Sequence, residues 1–160
     1  MKKVILFTLI LGGIIFPALA QTADEKAIMK AIAEEVDTFY ANDYENWTES
    51  FTKTPEFQRV YDNENGETIS WNWKKFNKNM KKLIHQKFPQ YSYTMDNYQA
   101  KVIGNLAMAS LISTFTWDEK TGAKPFVRPH IYVLKRIGDD WKISYYRSGL
   151  IENSTIHDGQ

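Results

Sequence analysis

A histidine, two arginines and two tyrosines alternate along the last two predicted strands, where they could bind an acid or move a proton. They are Arg128, His130, Tyr132, Tyr145 and Arg147. A neutral imidazole serves as a base or as a hydrogen-bond partner, and a guanidinium group binds carboxylates through paired N–H donors. A tyrosine hydroxyl can stabilise a developing oxyanion. This group therefore indicates either a binding site for a small acidic or aromatic molecule or a proton-transfer site.

The register of the two strands decides which of these side chains meet. A tight turn at Gly138 would pair His130 with Arg147 and Tyr132 with Tyr145, all on one face of the hairpin. That face carries the larger aromatic load, so we expect it to line the inside of a curved sheet. An adjacent arginine disfavours the charged imidazolium, so we expect the histidine to be neutral. The alternatives are a structural histidine and arginines that form salt bridges with the first helix.

Asp96 is a second candidate acid or base. A hairpin turning at Gly104 would pair Asp96 with Ser113, on a face that otherwise carries mainly apolar residues. A carboxyl group on an apolar surface is either solvated at a rim or raised in pKa and chemically useful. The sequence leaves both interpretations open.

Tyr61 and Trp71 could add an aromatic wall to the same pocket. Tyr61 belongs to a predicted short hairpin that turns at the dipeptide Asn65-Gly66, and Trp71 directly follows Ser70, the predicted start of the third helix. Large aromatic side chains at this spacing are more common in cores than in ligand walls, so a core role is the alternative.

Three predicted helices precede the strands that carry most of these residues. The first begins at a capping box formed by Thr22 and Glu25, and a short second helix follows Asp43. A third is expected to start at Ser70 and to end before Pro89. Strands are predicted over 91–103, 105–117, 126–137 and 140–149. This order predicts an α+β fold, with N-terminal helices packed on one face of a strongly curved antiparallel sheet.

Two local motifs resemble the nuclear transport factor 2-like, or SnoaL-like, superfamily. Residues 136–143 (RIGDDWKI) are similar to a hairpin common in these domains, and 39–43 (FYAND) is similar to the end of their first helix. The resemblance implies a cone-shaped α+β fold that encloses a pocket. It also implies a homodimer through the outer face of the sheet, here through Ile131, Val133 and Tyr146. Many members of the superfamily carry histidines in the last strand, where this chain does not.

The first 20 residues have the pattern of an export signal. Lys2 and Lys3 precede an apolar run, and the small residues at 18–20 (ALA) are typical of a cleavage site. We therefore expect a signal peptide over 1–20, a single domain over 21–150 and a polar tail over 151–160. The mature protein should be periplasmic or secreted, without membrane attachment after cleavage.

Composition argues against several classes of function. The chain has no cysteine, which excludes disulfides and thiol chemistry. Its 20 Lys and Arg balance 19 Asp and Glu, so no excess of positive charge indicates a nucleic-acid partner. The three histidines lack metal-ligand spacing, and no glycine-rich phosphate loop is present, so we expect neither a metal site nor a cofactor.

Three functions are compatible with these features. The favoured one is a small-molecule-binding module, because no complete catalytic set is recognisable. The second is an enzyme of the isomerase, dehydratase or cyclase kind, with His130 or Asp96 as base and Tyr132 or Tyr145 as donor. The third is a dimerisation or scaffold module.

Overall fold

The computed structural model describes residues 22–63, 65–86, 91–117 and 125–149. The predicted signal peptide and C-terminal tail therefore lie outside the described residues. Within the described ranges, no helix combines the length and apolar character that crossing a bilayer requires.

Three helices pack on one side of the sheet. Their bounds are α1, Ala23–Tyr40; α2, Tyr44–Glu49; and α3, Trp73–Ile84. The predicted capping box at Thr22 is confirmed, because its side chain and that of Glu25 each bond the other's backbone N–H. The predicted cap at Ser70 is wrong: the preceding strand continues past it, and the side chain of Asn72 accepts from Lys75 N at 3.0 Å.

Six strands form one sheet in the order β2-β1-β6-β5-β4-β3. Their bounds are β1, Gln58–Asp62; β2, Thr68–Asn72; β3, Tyr91–Ile103; β4, Leu106–Trp117; β5, Phe126–Ile137; and β6, Asp140–Ser148. The α+β prediction is confirmed. The sheet is not wholly antiparallel, however, because β1 runs parallel to β6.

A β-bulge in the last hairpin changes the predicted pairing. Near the turn, Leu134 pairs with Ile143 as expected, but Tyr132 then pairs with Tyr146. The extra residue in β6 shifts the register by one, and such a shift moves every later side chain to the other face. Tyr145 and Arg147 therefore lie on the outer face, and their predicted pairing with Tyr132 and His130 is wrong.

A second irregularity, in β3, moves Asp96 to the outer face of the sheet. Ala100 pairs with Ala109 as expected, whereas beyond the irregularity Asp96 pairs with Ile112 and Met95 with Ser113. Asn97 lies in the left-handed region at φ 54°, a conformation that asparagine tolerates and that bulges use. Asp96 is consequently exposed on the outer face, and its predicted place beside Ser113 is wrong.

The core lies between the helices and the concave face of the sheet. Five of its buried aromatic side chains pack ring against ring, in edge-to-face, tilted or stacked contacts: Phe39, Trp47, Phe51, Phe57 and Phe76. Burying a large apolar side chain contributes about 1.5–3 kcal/mol, so this cluster is a main source of stability and holds α1 and α3 in place over the sheet.

Candidate functional site

A cavity of about 410 Å³ lies between α1, α3 and the concave face of the sheet. Most of its wall is apolar or aromatic, and the polar side chains on it are Glu35, Arg59, Ser113, Arg128 and His130, with the hydroxyls of Tyr40, Tyr61, Tyr132 and Tyr146. A larger groove of about 560 Å³ lies between α1, α2 and the β5–β6 turn. That groove is lined mainly by polar and charged residues of the surface. The cavity is therefore the candidate site, since ligand sites are mostly apolar with a few convergent polar groups.

His130 lies inside the cavity, as predicted. It is 5% exposed, and its Nε2 lies 2.6 Å from the Ser113 hydroxyl. Its Nδ1 is buried and has no hydrogen-bond partner in the described part of the chain. Burial lowers the pKa of His130 to about 3, and the charges of Arg59 and Arg128 contribute to this shift. This lowered pKa agrees with the predicted neutral state, although Arg147 is not among the causes of the shift.

Arg128 also faces the cavity, on the same side of β5 as His130. Its guanidinium carbon lies 5.4 Å from the centre of the Phe126 ring. Its Nε is buried and, within the described ranges, bonds no acceptor. Arg128 and His130 thus each have a buried nitrogen that no described residue bonds. Buried polar atoms are nearly always hydrogen-bonded in folded proteins, so these two need an explanation.

Tyr132 and Tyr146 form a parallel stack in the cavity wall. Their ring centres lie 4.6 Å apart with an interplanar angle of 7°. Burial raises the pKa of both phenols, so both are neutral hydroxyl donors at physiological pH. Tyr132 was expected here, but its predicted partner Tyr145 was wrong, because the bulge brings Tyr146 inward instead.

Glu35 is a site residue that the sequence analysis did not single out. It is 7% exposed, and the indole Nε1 of Trp47 donates a hydrogen bond of 3.0 Å to its Oε1. Burial raises the pKa of Glu35 to about 7, although the Trp47 hydrogen bond and the Arg59 charge oppose the shift. The buried stripe of α1 consists of Ile28, Ile32, Glu35 and Phe39. A carboxyl group at a position where helical periodicity expects an apolar residue could have indicated this site from the sequence.

Arg59 is a second such residue. Its guanidinium lies 4.0 Å from the centre of the Tyr146 ring and donates to the Ser148 hydroxyl at 2.7 Å and to the Val60 carbonyl. These contacts depend on the parallel pairing of β1 with β6, which places Arg59 opposite Tyr146. Arg59 is thereby fixed as a cation at the cavity wall.

The other predicted site residues divide between the two faces. Tyr61 and Trp71 do line the cavity, and their rings meet edge to face at 5.1 Å. Arg147 lies outside, where its Nη2 is 3.7 Å from a carboxylate oxygen of Asp62. Asp96 is exposed and accepts from the Thr94 hydroxyl. The version of the catalytic hypothesis that uses Asp96 or Tyr145 therefore fails, because these groups lie across the sheet from His130.

Comparison with known proteins identifies the fold. No family model and no curated protein matches the chain. Among solved structures, an NTF2-like protein of unknown function from Pseudomonas putida is similar, with 9% identity, a TM-score of 0.66, and coverage of 88% of this chain and 95% of that one. A candidate dehydratase of the NTF2-like family from Streptomyces avermitilis has 12% identity, a TM-score of 0.65, and coverage of 81% and 96%.

A third similar structure is the association domain of C. elegans CaMKII, with 16% identity, a TM-score of 0.64, and coverage of 79% of this chain and 95% of that one. The chain has the NTF2-like fold. At these identities the NTF2-like fold explains the cone and its cavity, but one fold supports many activities, so function must be argued from the side chains inside it.

Within the NTF2-like cone, the cavity residues offer three kinds of chemistry. Arg128 and His130 can hold a polar group of a ligand, and Tyr132 and Tyr146 can donate hydrogen bonds. Glu35 can exchange a proton near neutral pH. Among the residues described, no three histidine, aspartate or glutamate side chains come together to hold a metal ion.

Proposed function

We propose that this protein binds a small molecule inside the cone, with the apolar body of the ligand against the aromatic wall. The observation that carries the proposal is a cavity of about 410 Å³ whose wall includes His130 and Arg128, each with a buried nitrogen that bonds no other described residue. A ligand that bonds these atoms would remove the cost of leaving them unsatisfied, which is about 1–3 kcal/mol for each buried group.

Narrowing the cavity should weaken ligand binding. Leu83 lines the cavity and is 37% exposed, so a Leu83→Trp variant places a larger ring in that space. Using the neutral probe 2-naphthylacetamide, we expect at least a tenfold rise in Kd, measured by isothermal titration calorimetry. Leu106, 46% exposed on the outer face of the sheet, provides the matched control Leu106→Trp, which should bind like wild type. Equal affinities in all three proteins would place binding elsewhere.

A second candidate function is proton transfer, and Glu35 is the observation that favours it. A base works best with a pKa near the working pH, and the pKa of Glu35 is about 7. The neutral phenols of Tyr132 and Tyr146 could stabilise an enolate oxygen in the same cavity. In this version Glu35 replaces His130 as the base, because a histidine with a pKa of about 3 is too weak a base.

Deuterium exchange tests this candidate without a known substrate. The carboxylate of Glu35 would take a proton from the carbon next to the carbonyl of 2-tetralone and return a deuteron from D₂O. We expect the rate, followed by NMR, to rise with pH through about 7 as the carboxyl ionises. A Glu35→Gln variant should lose about 10²-fold or more, whereas Glu34→Gln, at an exposed position, should not change it. Exchange in wild type no faster than in Glu35→Gln would exclude this role.

We also propose that the outer face of the sheet forms a homodimer. Exposed apolar side chains cluster there: Ile103, Leu106, Met108, Ile131 and Ile137. Tyr146, expected in this patch, faces the cavity instead, and Tyr145 beside Val133 takes its place. Several exposed apolar side chains on neighbouring strands of one face are typical of an interaction surface. That one similar structure is an association domain agrees with this proposal.

Light scattering tests the dimer. Wild type should have twice the chain mass, and Met108→Glu should be monomeric, because a charge on an apolar two-fold interface is repeated on both subunits. Lys82→Glu, on the exposed face of α3, serves as the control and should remain dimeric. A monomeric wild type at high concentration would contradict the proposal.

The predicted export signal over 1–20 supports a periplasmic or secreted location. Mass spectrometry of the protein recovered from its native compartment should find a mature chain that begins at Gln21. An intact Met1 in the cytoplasmic fraction would contradict export.

A further inference from the structure

We propose that the ligand is a compact apolar carboxylic acid whose carboxylate bridges Arg128 Nε–H and His130 Nδ1–H. This inference rests on the proposed binding function and names the class of molecule that the cavity accepts. It starts from these two buried nitrogens, which neither donate a hydrogen bond to nor accept one from any residue that the structure describes.

The spacing of the two nitrogen-bearing side chains suits one carboxylate. Arg128 and His130 lie two positions apart on β5 and face the same side, so their backbones are about 6.6 Å apart along the strand. A hydrogen bond of about 2.8 Å from each nitrogen to a different carboxylate oxygen covers a comparable span. A single carboxylate can therefore satisfy both atoms at once.

The donor character of the two atoms selects an acceptor. The Nε of an arginine carries a hydrogen and never accepts, so its partner must be an oxygen or another acceptor. The Ser113 hydroxyl lies at hydrogen-bond distance from Nε2 of His130. If the serine hydroxyl donates to that nitrogen, the neutral imidazole carries its hydrogen on Nδ1, which then points at the same acceptor.

The charge of the cavity also favours an anion. Its charged side chains are Arg59 and Arg128 against Glu35, so the cavity carries a net charge of at least one positive unit in either state of Glu35. Low-dielectric walls strengthen the attraction for an anion of opposite sign. Among the described residues, the buried donors without a partner are these two nitrogens, one for each oxygen of a carboxylate.

The walls beside this pair require an apolar body. Leu111 lies opposite His130 on the neighbouring strand, and Phe115 stacks on Phe126 at 5.0 Å. A small hydrophilic acid would leave these surfaces uncovered, whereas an aryl or alkyl chain would cover them.

The test compares 2-naphthylacetate with its neutral isostere 2-naphthylacetamide by isothermal titration calorimetry. The acid should bind wild type at least tenfold tighter than the amide. Arg128→Gln should remove most of this preference, because it should lower the affinity for the acid far more than the affinity for the amide. Arg147→Gln is the matched control, because this arginine is exposed on the outer face beside Asp62, and it should keep the preference.

The outcomes separate this inference from the proposed function. If the amide binds in the cavity and the acid binds no tighter, the carboxylate inference is overturned while the binding function stands. If Arg147→Gln removes the preference as strongly as Arg128→Gln, the carboxylate does not bind at Arg128 and His130. If neither probe binds wild type, or if Leu83→Trp changes the affinity for neither probe, the cavity function and the inference fall together. Circular dichroism of each variant verifies that it is folded.

Discussion

Replacing Glu35 by glutamine should raise the free energy of unfolding at pH 8 by about 3 kcal/mol, because an ionised carboxylate is then no longer buried in the cavity wall. The pKa of Glu35 is about 7 in the folded protein, against an ordinary value of 4.5. The folded state therefore binds more protons than the unfolded state between these values. The stability that Glu35 contributes is fully present below pH 4.5 and is lost as the pH rises through 7. Glutamine keeps an acceptor for Trp47.

His130 acts in the opposite direction. Its pKa is lowered from 6.5 to about 3, so its contribution is present above pH 6.5 and is lost as the pH falls toward 3. Between about pH 4.5 and 6.5, the fall in unfolding free energy caused by Glu35 and the rise caused by His130 cancel in wild type as the pH increases. Urea unfolding of Glu35→Gln should show stability that rises with pH up to 6.5 and then stays level. Glu34→Gln, at a side chain that is 57% exposed, should follow wild type. A Glu35→Gln curve parallel to wild type at every pH would show that Glu35 is not buried as described.

Removing the ring of Tyr146 should cost about 3 kcal/mol of stability, whereas removing the ring of Tyr145 should cost about 1 kcal/mol or less. The Tyr146 ring stacks on Tyr132 and supports the guanidinium of Arg59, so its loss opens the cavity wall on both sides. Tyr145 lies on the outer face beside Val133. Urea unfolding of Tyr146→Ala and Tyr145→Ala at one pH gives the comparison.

These adjacent residues form a matched pair, since they differ by one position in the chain and in the face that they occupy. If both variants lose the same unfolding free energy, or if Tyr145→Ala loses more, the result would favour the hairpin register without a bulge. Tyr146→Ala should also weaken binding of 2-naphthylacetamide, while Tyr145→Ala should not.

The sequence predicted the elements better than the register. Turn residues and apolar periodicity located the helices and the long hairpins, and the alternation along β5 correctly placed Arg128, His130 and Tyr132 inside. The pairing next to the turn was also correct, as for Leu134 with Ile143. The errors began where β6 and β3 contain an irregularity. A bulge adds one residue without a distinctive side-chain pattern, yet it reverses the face of everything beyond it.

Other parts of the site depend on contacts between distant segments. Arg59 reaches Tyr146 only because β1 runs parallel to β6, and periodicity within one strand carries no information about that neighbour. Glu35 could have been found, since it occupies a buried position between Ile32 and Phe39 on α1. Its bond to Trp47 and its raised pKa, however, depend on how α2 packs against α1.

The central claim is that His130 is a neutral, buried histidine whose Nδ1 is available to a ligand. Long-range ¹H–¹⁵N NMR of the histidine rings tests it directly, because the chain has three histidines and a His130→Asn variant identifies the signal. We predict that the His130 ring stays neutral down to about pH 4 and that its Nδ1 signal shifts when 2-naphthylacetate is added. A His130 ring that titrates near pH 6.5 and does not respond to the acid would contradict the account.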